Sequence, residues 1–180
     1  MVARDKNLTS DSLLTELKDI VIQRDEIEID RFHELIEESK VLDIEAPLKM
    51  EDFFKEVSDL LSKELDLKPE ELFDKFIERE RLTSTVVRNG LAIPHIVVPR
   101  KNYFKIILVR AKTGIIFPDD KLIHVAFVLV GSSGERSLHL KDLAAIAQVV
   151  QNPEFDKKWL EARNEEELKN IVLLTERRRG

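Results

Sequence analysis

Histidine carries most of the reactive potential of this chain, which has four: His33, His95, His124 and His139. A neutral imidazole keeps a free ring nitrogen near pH 7, so each is a candidate nucleophile, proton carrier or metal ligand. There is no cysteine, which removes thiol catalysis, disulfides and thiolate metal sites. His33 lies among Asp30, Arg31, Glu34 and Glu37 and reads as part of an exposed helix face. His124 sits inside an apolar run and reads as a histidine held within a strand. His95 is different. It follows Pro94, whose ring fixes the backbone just ahead of it, and it lies shortly after the turn dipeptide Asn89-Gly90. That placement predicts an imidazole held at the end of a short strand at a sheet edge. The histidines lack the close spacing of a zinc site, so no metal and no cofactor is expected. Ser132-Ser133-Gly134 lacks the lysine and hydroxyl residue of a phosphate loop.

The elements that must position His95 can be read from periodicity. Phe53, Phe54, Val57, Leu60 and Leu61 mark a helix over 50–62. Pro69 opens a second, with Leu72, Phe73, Phe76 and Ile77 on one face and an end near Arg81. Thr85-Val86-Val87 and Leu91-Ala92-Ile93 are short β-type runs about the Asn89-Gly90 turn. Lys105–Ala111 and Leu122–Val130 read as strands, and the second is apolar throughout, as a central strand covered on both faces should be. Residues 131–134 read as the loop after it. Helices follow from about Ser137 to Gln151, from Asn152-Pro153 onward, and from Asn164 through Leu174. Asn164 and Glu167 have the spacing of a capping box there. The fold class expected is α/β: a small mixed sheet of about five strands with helices on both faces.

The chain has 180 residues, 36% of them charged, with a formal net charge of -6. The acidic balance argues against nucleic-acid binding, which needs a basic face; Arg177, Arg178 and Arg179 read as a solvated tail. No apolar run reaches membrane-spanning length and no signal peptide is visible, so a cytoplasmic location is expected. Two units are expected: a helical arm or linker over 1–44 and a domain over 45–180. Leu13, Leu14, Leu17, Ile20 and Val21, then Ile27, Phe32, Leu35 and Ile36, recur at helical spacing. The arm therefore needs something to lie on, and a homodimer through residues 11–40 is one solution.

The stretch Asn89-Gly90-Leu91-Ala92-Ile93-Pro94-His95 closely resembles the signature of enzyme IIA domains of the phosphotransferase system, of the fructose, mannitol and nitrogen-related type. The resemblance covers about residues 45–174. It extends to Arg79, Glu80 and Leu82, to the strand at 123–129, to His139-Leu140 at a helix start and to Asn152-Pro153-Glu154-Phe155. The resemblance implies that His95 accepts a phosphoryl group from an HPr-like phosphocarrier protein. It also implies that His139 helps hold that group and that Arg79 stabilises the phosphohistidine. Charge and N–H donors around a transferring phosphoryl group are what such chemistry needs. Thr83, Val86 and Arg88 stand where the family commonly has glycine, and Ile96 where it prefers a small residue. Ile96 is therefore expected to crowd the acceptor, and Arg88 either to offer the site another cation or to bind a different anion.

Two classes of function are open at this point. In the first, the chain is a phosphoryl carrier of sugar transport or of regulation. Its next acceptor would then be a IIB domain on a separate chain, since this one lacks cysteine. In the second, it is a non-phosphorylated sensor or interaction module that regulates a membrane transporter, with the chain a cytoplasmic piece of something longer. Whether it is an enzyme in its own right turns on which of these holds.

Overall fold

A computed structural model describes residues 31–175. The helical pattern expected at 13–21 and the arginines at 177–179 lie outside the described residues. A helical stretch over 31–37 leads into β1 (Lys40–Ile44) and β2 (Leu48–Lys49). Helices α1 (Met50–Leu65) and α2 (Pro69–Leu82) follow, then three short strands: β3 (Val86–Arg88), β4 (Leu91–Ala92) and β5 (His95–Val98). The long hairpin of β6 (Phe104–Phe117) and β7 (Lys121–Ser132) comes next, then α3 (Arg136–Val150), α4 (Phe155–Glu161) and α5 (Glu165–Leu174).

The mixed α/β architecture is the expected one, but the sheet has seven strands rather than about five. The main order is β1-β6-β7-β4-β3, with β2 beside β6 and β5 beside β7. The extra strands, β2 and β5, are pieces of two and four residues, too short to leave a period in the sequence. β6 and β7 are antiparallel; β1 and β2 run parallel to β6, and β4 and β5 parallel to β7. Residues 40–44 and the helical 31–37 stretch belong to this packing: β1 pairs with β6, and Phe32 and Ile36 are buried in the core.

Two cores sandwich the sheet. Ala126, Val128 and Val130 of β7 face α1 and α2, where Phe53, Phe54, Phe76 and Phe117 cluster. Val125, Phe127 and Leu129 face the opposite side, where Phe155 stacks on Trp159. Burial on both faces is why this strand reads as continuously apolar. Gly131 and Ser132 complete β7 instead of forming the loop expected there, since they pair with Phe104 and Val98.

Local signals set the element ends. Met50, Phe53, Phe54, Val57, Leu61 and Leu65 form the buried stripe of α1, and Asp66, at φ 55, closes it with an N–H bond to the Ser62 carbonyl. Pro69 starts α2, whose buried face is Leu72, Phe76 and Glu80. Asn164 caps α5 by accepting the Glu167 N–H at 2.9 Å, as its spacing predicts. Asn152 does not cap α4. It sits two residues before the Glu154 cap and accepts the Glu154 N–H in a turn ahead of the helix.

Candidate functional site

The segment from Arg79 to His95 builds the site. Glu80 faces inward near the end of α2, and its two carboxylate oxygens take the Thr85 N–H at 2.6 Å and the Thr85 hydroxyl at 2.5 Å. This clamp ties the last turn of α2 to the entry of β3. Gly90, at φ 81, makes the turn from β3 to β4, a conformation glycine adopts without steric cost. The Gly90 carbonyl accepts the N–H groups of His124 and Val125, and the Pro94 carbonyl accepts that of Leu129. β4, Ile93-Pro94 and β5 thus run along one edge of β7, with a break where proline has no N–H to give. His95 is consequently the first residue of β5 rather than the last of the strand before it.

Ile96 and Val98 point into the core under α1 and α2. Strand alternation sends His95 and Val97 to the other side, and His95 pairs in register with Leu129 of the second core. The imidazole is half-buried. Its Nδ1 lies 3.0 Å from the Ile93 carbonyl, and its Nε2 accepts the Arg79 Nε–H at 3.2 Å. A carbonyl only accepts and a guanidinium only donates, so the proton sits on Nδ1 and the lone pair on Nε2. Arg79 Nη1 donates to the Thr83 carbonyl at 2.9 Å and to the Thr83 hydroxyl at 3.2 Å. Among the described residues Arg79 pairs with no carboxylate. No described carboxylate thus neutralises its positive charge, beside a ring nitrogen with an available lone pair.

The structure brings His95 and Arg79 together. His139 lies in the first turn of α3, and its side chain is outside the described residues. Two expectations are corrected. Ile96 does not crowd the acceptor, because it is 4% exposed and on the opposite face of β5. Arg88 does not serve the site: both terminal nitrogens hold Asp156, at 2.7 and 3.0 Å, and Nη2 also reaches the Val150 carbonyl. His33 is exposed, and His124 Nδ1 bonds the Ala111 carbonyl at 2.8 Å. Both fit structural roles. Sequence reading passed over Thr83 as a partner of Arg79, although the spacing of four residues from a helical arginine offers that contact. It also passed over the Glu80–Thr85 clamp, which depends on how the chain turns after the helix. Leu82, Val97 and Leu140 leave apolar surface exposed on α2, β5 and α3. No group of three or more candidate metal ligands occurs among the described residues. No described helix is long and apolar enough to cross a membrane.

Several known proteins are similar to this chain in sequence and fold. The sequence model of the family described as "Phosphoenolpyruvate-dependent sugar phosphotransferase system, EIIA 2" matches residues 34–174. A nitrogen regulatory protein of Escherichia coli (strain K12) is 28% identical over 123 residues, which is 67% of this chain and 76% of that protein. The mannitol-specific phosphotransferase enzyme IIA component of Geobacillus stearothermophilus is 34% identical over 102 residues, 55% of this chain and 68% of that protein. The crystal structure of nitrogen regulatory protein IIA-Ntr from Neisseria meningitidis superposes with a TM-score of 0.66 at 26% identity. The match covers 73% of this chain and 91% of that one.

Proposed function

The chain belongs to the EIIA 2 family of the phosphoenolpyruvate-dependent sugar phosphotransferase system, and from that premise we propose that His95 accepts a phosphoryl group from a phosphocarrier protein. The carrying observation is the His95 ring itself, with Nδ1 held on the Ile93 carbonyl and the Nε2 lone pair against the guanidinium of Arg79, which no described carboxylate neutralises. In the proposed step Arg79 swings off Nε2, whose lone pair attacks phosphorus in line. The phosphorus–nitrogen bond to the donor's histidine breaks, and that nitrogen keeps the electron pair. The proton stays on Nδ1, donated to the Ile93 carbonyl. Arg79 then pairs with the phosphoryl oxygens, where its charge is worth most in the transition state. His139 joins this reading as a second donor at the start of α3. Exposed Leu82, Val97 and Leu140 supply apolar surface for the partner.

Downstream, the reading places a IIB domain on a separate chain, or a regulated protein, as the recipient of the signal. One solved relative of the same fold is a complex of enzyme IIA of the mannitol system with phosphorylated enzyme IIB. A cytoplasmic setting, on its own or as part of a transporter, goes with this role. So does a division into an arm and a catalytic domain, with β1 and the helical 31–37 stretch counted with the domain in which they pack. A dimer through 11–40 would have to do without Phe32 and Ile36, which the protein's own core uses.

One observation favours the second reading, a regulator that is not phosphorylated. Arg79 donates to the very nitrogen that must attack, and Thr83, in place of a common glycine, adds a hydroxyl acceptor for the guanidinium to the backbone carbonyl that either residue would offer. The test is incubation with phosphoenolpyruvate, enzyme I and phosphocarrier protein, followed by intact mass measurement. A gain of one phosphoryl group in the parent and none in His95→Ala is expected. A folded parent that gains nothing with several carriers sinks the acceptor reading in favour of the regulator.

A further inference from the structure

Both nitrogens of the His95 ring are held, and both contacts lead back to two consecutive residues of α2. On one side Arg79 donates to Nε2 at 3.2 Å. On the other, the Ile93 carbonyl holds Nδ1 at 3.0 Å. Ile93 is itself fixed from two directions. Its N–H donates to the Thr85 carbonyl at 2.9 Å, and the carbonyl of Pro94, next in the chain, accepts the Leu129 N–H at 2.9 Å. Thr85 is 4% exposed, and its N–H and hydroxyl both donate to Glu80, the neighbour of Arg79. A ring of contacts thus runs from Arg79 through His95, Ile93 and Thr85 to Glu80. The peptide bond between Arg79 and Glu80 closes it.

Glu80 is the member of this ring that burial alone does not explain. It is 8% exposed and continues the buried row of Leu72 and Phe76 on α2. Taking a carboxylate out of water is costly, and an apolar side chain would fill the same place without that cost. What the carboxylate adds is two acceptor oxygens, and each takes one donor of the same residue. Backbone and side chain of Thr85 are fixed together, which aims its carbonyl at the Ile93 N–H. The Ile93 carbonyl in turn selects the nitrogen of His95 that carries the proton. We propose that Glu80 is a positioning residue for phosphoryl uptake. Acting through Thr85 and Ile93, it holds the His95 proton on Nδ1 and keeps the Nε2 lone pair turned to Arg79. Glu80 itself touches no reacting atom. The positioning stands on the hydrogen bonds above; its effect on rate rests on the phosphoryl-acceptor reading.

Thr85→Val removes the hydroxyl donor and nearly keeps the side-chain shape, Thr85→Ser keeps the donor, and Glu80→Met removes both acceptors. Nitrogen NMR spectra of the His95 ring in the full chain, at mildly alkaline pH where an imidazole is neutral, read the tautomer directly. The parent and Thr85→Ser are expected to carry the proton on Nδ1. Thr85→Val and Glu80→Met are expected to show a mixture of both tautomers. A parent with the proton on Nε2, or a folded Thr85→Val with the parent's pattern, overturns the proposal. Should Glu80→Met fail to fold, Thr85→Val decides alone. In the phosphorylation assay Thr85→Val is expected to lower the saturating rate of uptake about 10-fold, within the roughly 10²-fold that a misplacement of roughly 1 Å can cost. The carrier concentration at half-saturation should stay the same. An unchanged saturating rate, or a loss confined to the half-saturation concentration, overturns the kinetic role. If the parent takes up no phosphoryl group, the acceptor reading falls while the ring spectra still decide what Glu80 positions.

Discussion

At the scale of single residues, Arg79 is where structure and chemistry meet most directly. It bridges the end of α2 to His95 with a hydrogen bond on the prospective nucleophile and two on Thr83. If it stabilises the transferring group, Arg79→Gln should slow phosphoryl uptake by about 10²-fold, the usual loss of one preorganised donor. The rate of mass gain reads this directly, and Arg79→Lys should recover part of it, because a point charge lacks the fork of the guanidinium. Ile96 makes the opposite case. Because it is buried under α1 and α2, Ile96→Ala should act on stability and not on partner docking, with a loss of about 2–5 kcal/mol in urea unfolding.

At the scale of elements, the β6–β7 hairpin is the part on which the rest is assembled. Its strands slip in register between Arg110 and Ile115, and Gly114 lies in that irregularity with φ 103. A Cβ there would stand 2.5 Å from the Leu122 side chain. Gly114→Ala thus meets both an unfavourable backbone conformation and a collision, and should lower stability by about 1–3 kcal/mol. A denaturant midpoint that does not move would show that Leu122, 45% exposed, simply turns away and that the backbone relaxes with it. Helix α2 shows how an element end can serve a site. Its Pro69 start and buried face were legible as a pattern. The Glu80–Thr85 clamp at its far end, which helps to aim Arg79, arises from a turn of the chain that no helical period encodes.

At the scale of the whole molecule, Arg110 ties together parts distant in sequence. It is 1% exposed, holds the Asp43 carboxylate of β1 through Nε at 2.9 Å and Nη2 at 2.5 Å, and donates to the carbonyls of Trp159 and Ala162 at the end of α4. The hydrogen bond from Arg110 holds the Asp43 carboxyl below its ordinary value of 3.8, against an opposing effect of burial. A carboxyl depressed in the folded state contributes stability above its unfolded value and loses it as pH falls through the folded one. Asp43→Asn should therefore cost on the order of 3 kcal/mol near neutral pH, since it leaves a buried guanidinium without its counter-charge. The gap between parent and variant should begin to narrow as pH falls below the ordinary value of 3.8 and close only below the lowered folded value, where the parent's carboxyl is neutral in both states. Urea unfolding of both proteins across that pH range checks the sign.

The sequence by itself determined the α/β class, the central buried strand, the helix starts at Pro69 and Asn164, and the turn that precedes His95. Each of these follows from local chemistry: apolar period, a ring that fixes φ, a side chain that caps, a glycine that accepts positive φ. Only the tertiary structure decided which groups meet. Strand alternation turned Ile96 inward and His95 outward, and packing of α4 against the sheet drew Arg88 away to Asp156. The short strands β2 and β5 are held by the long edges that β6 and β7 present for pairing. The bond between Arg79 and the attacking nitrogen joins residues sixteen positions apart on different elements. Such contacts depend on how helices and strands are set against each other in space, and that information is spread over the whole chain.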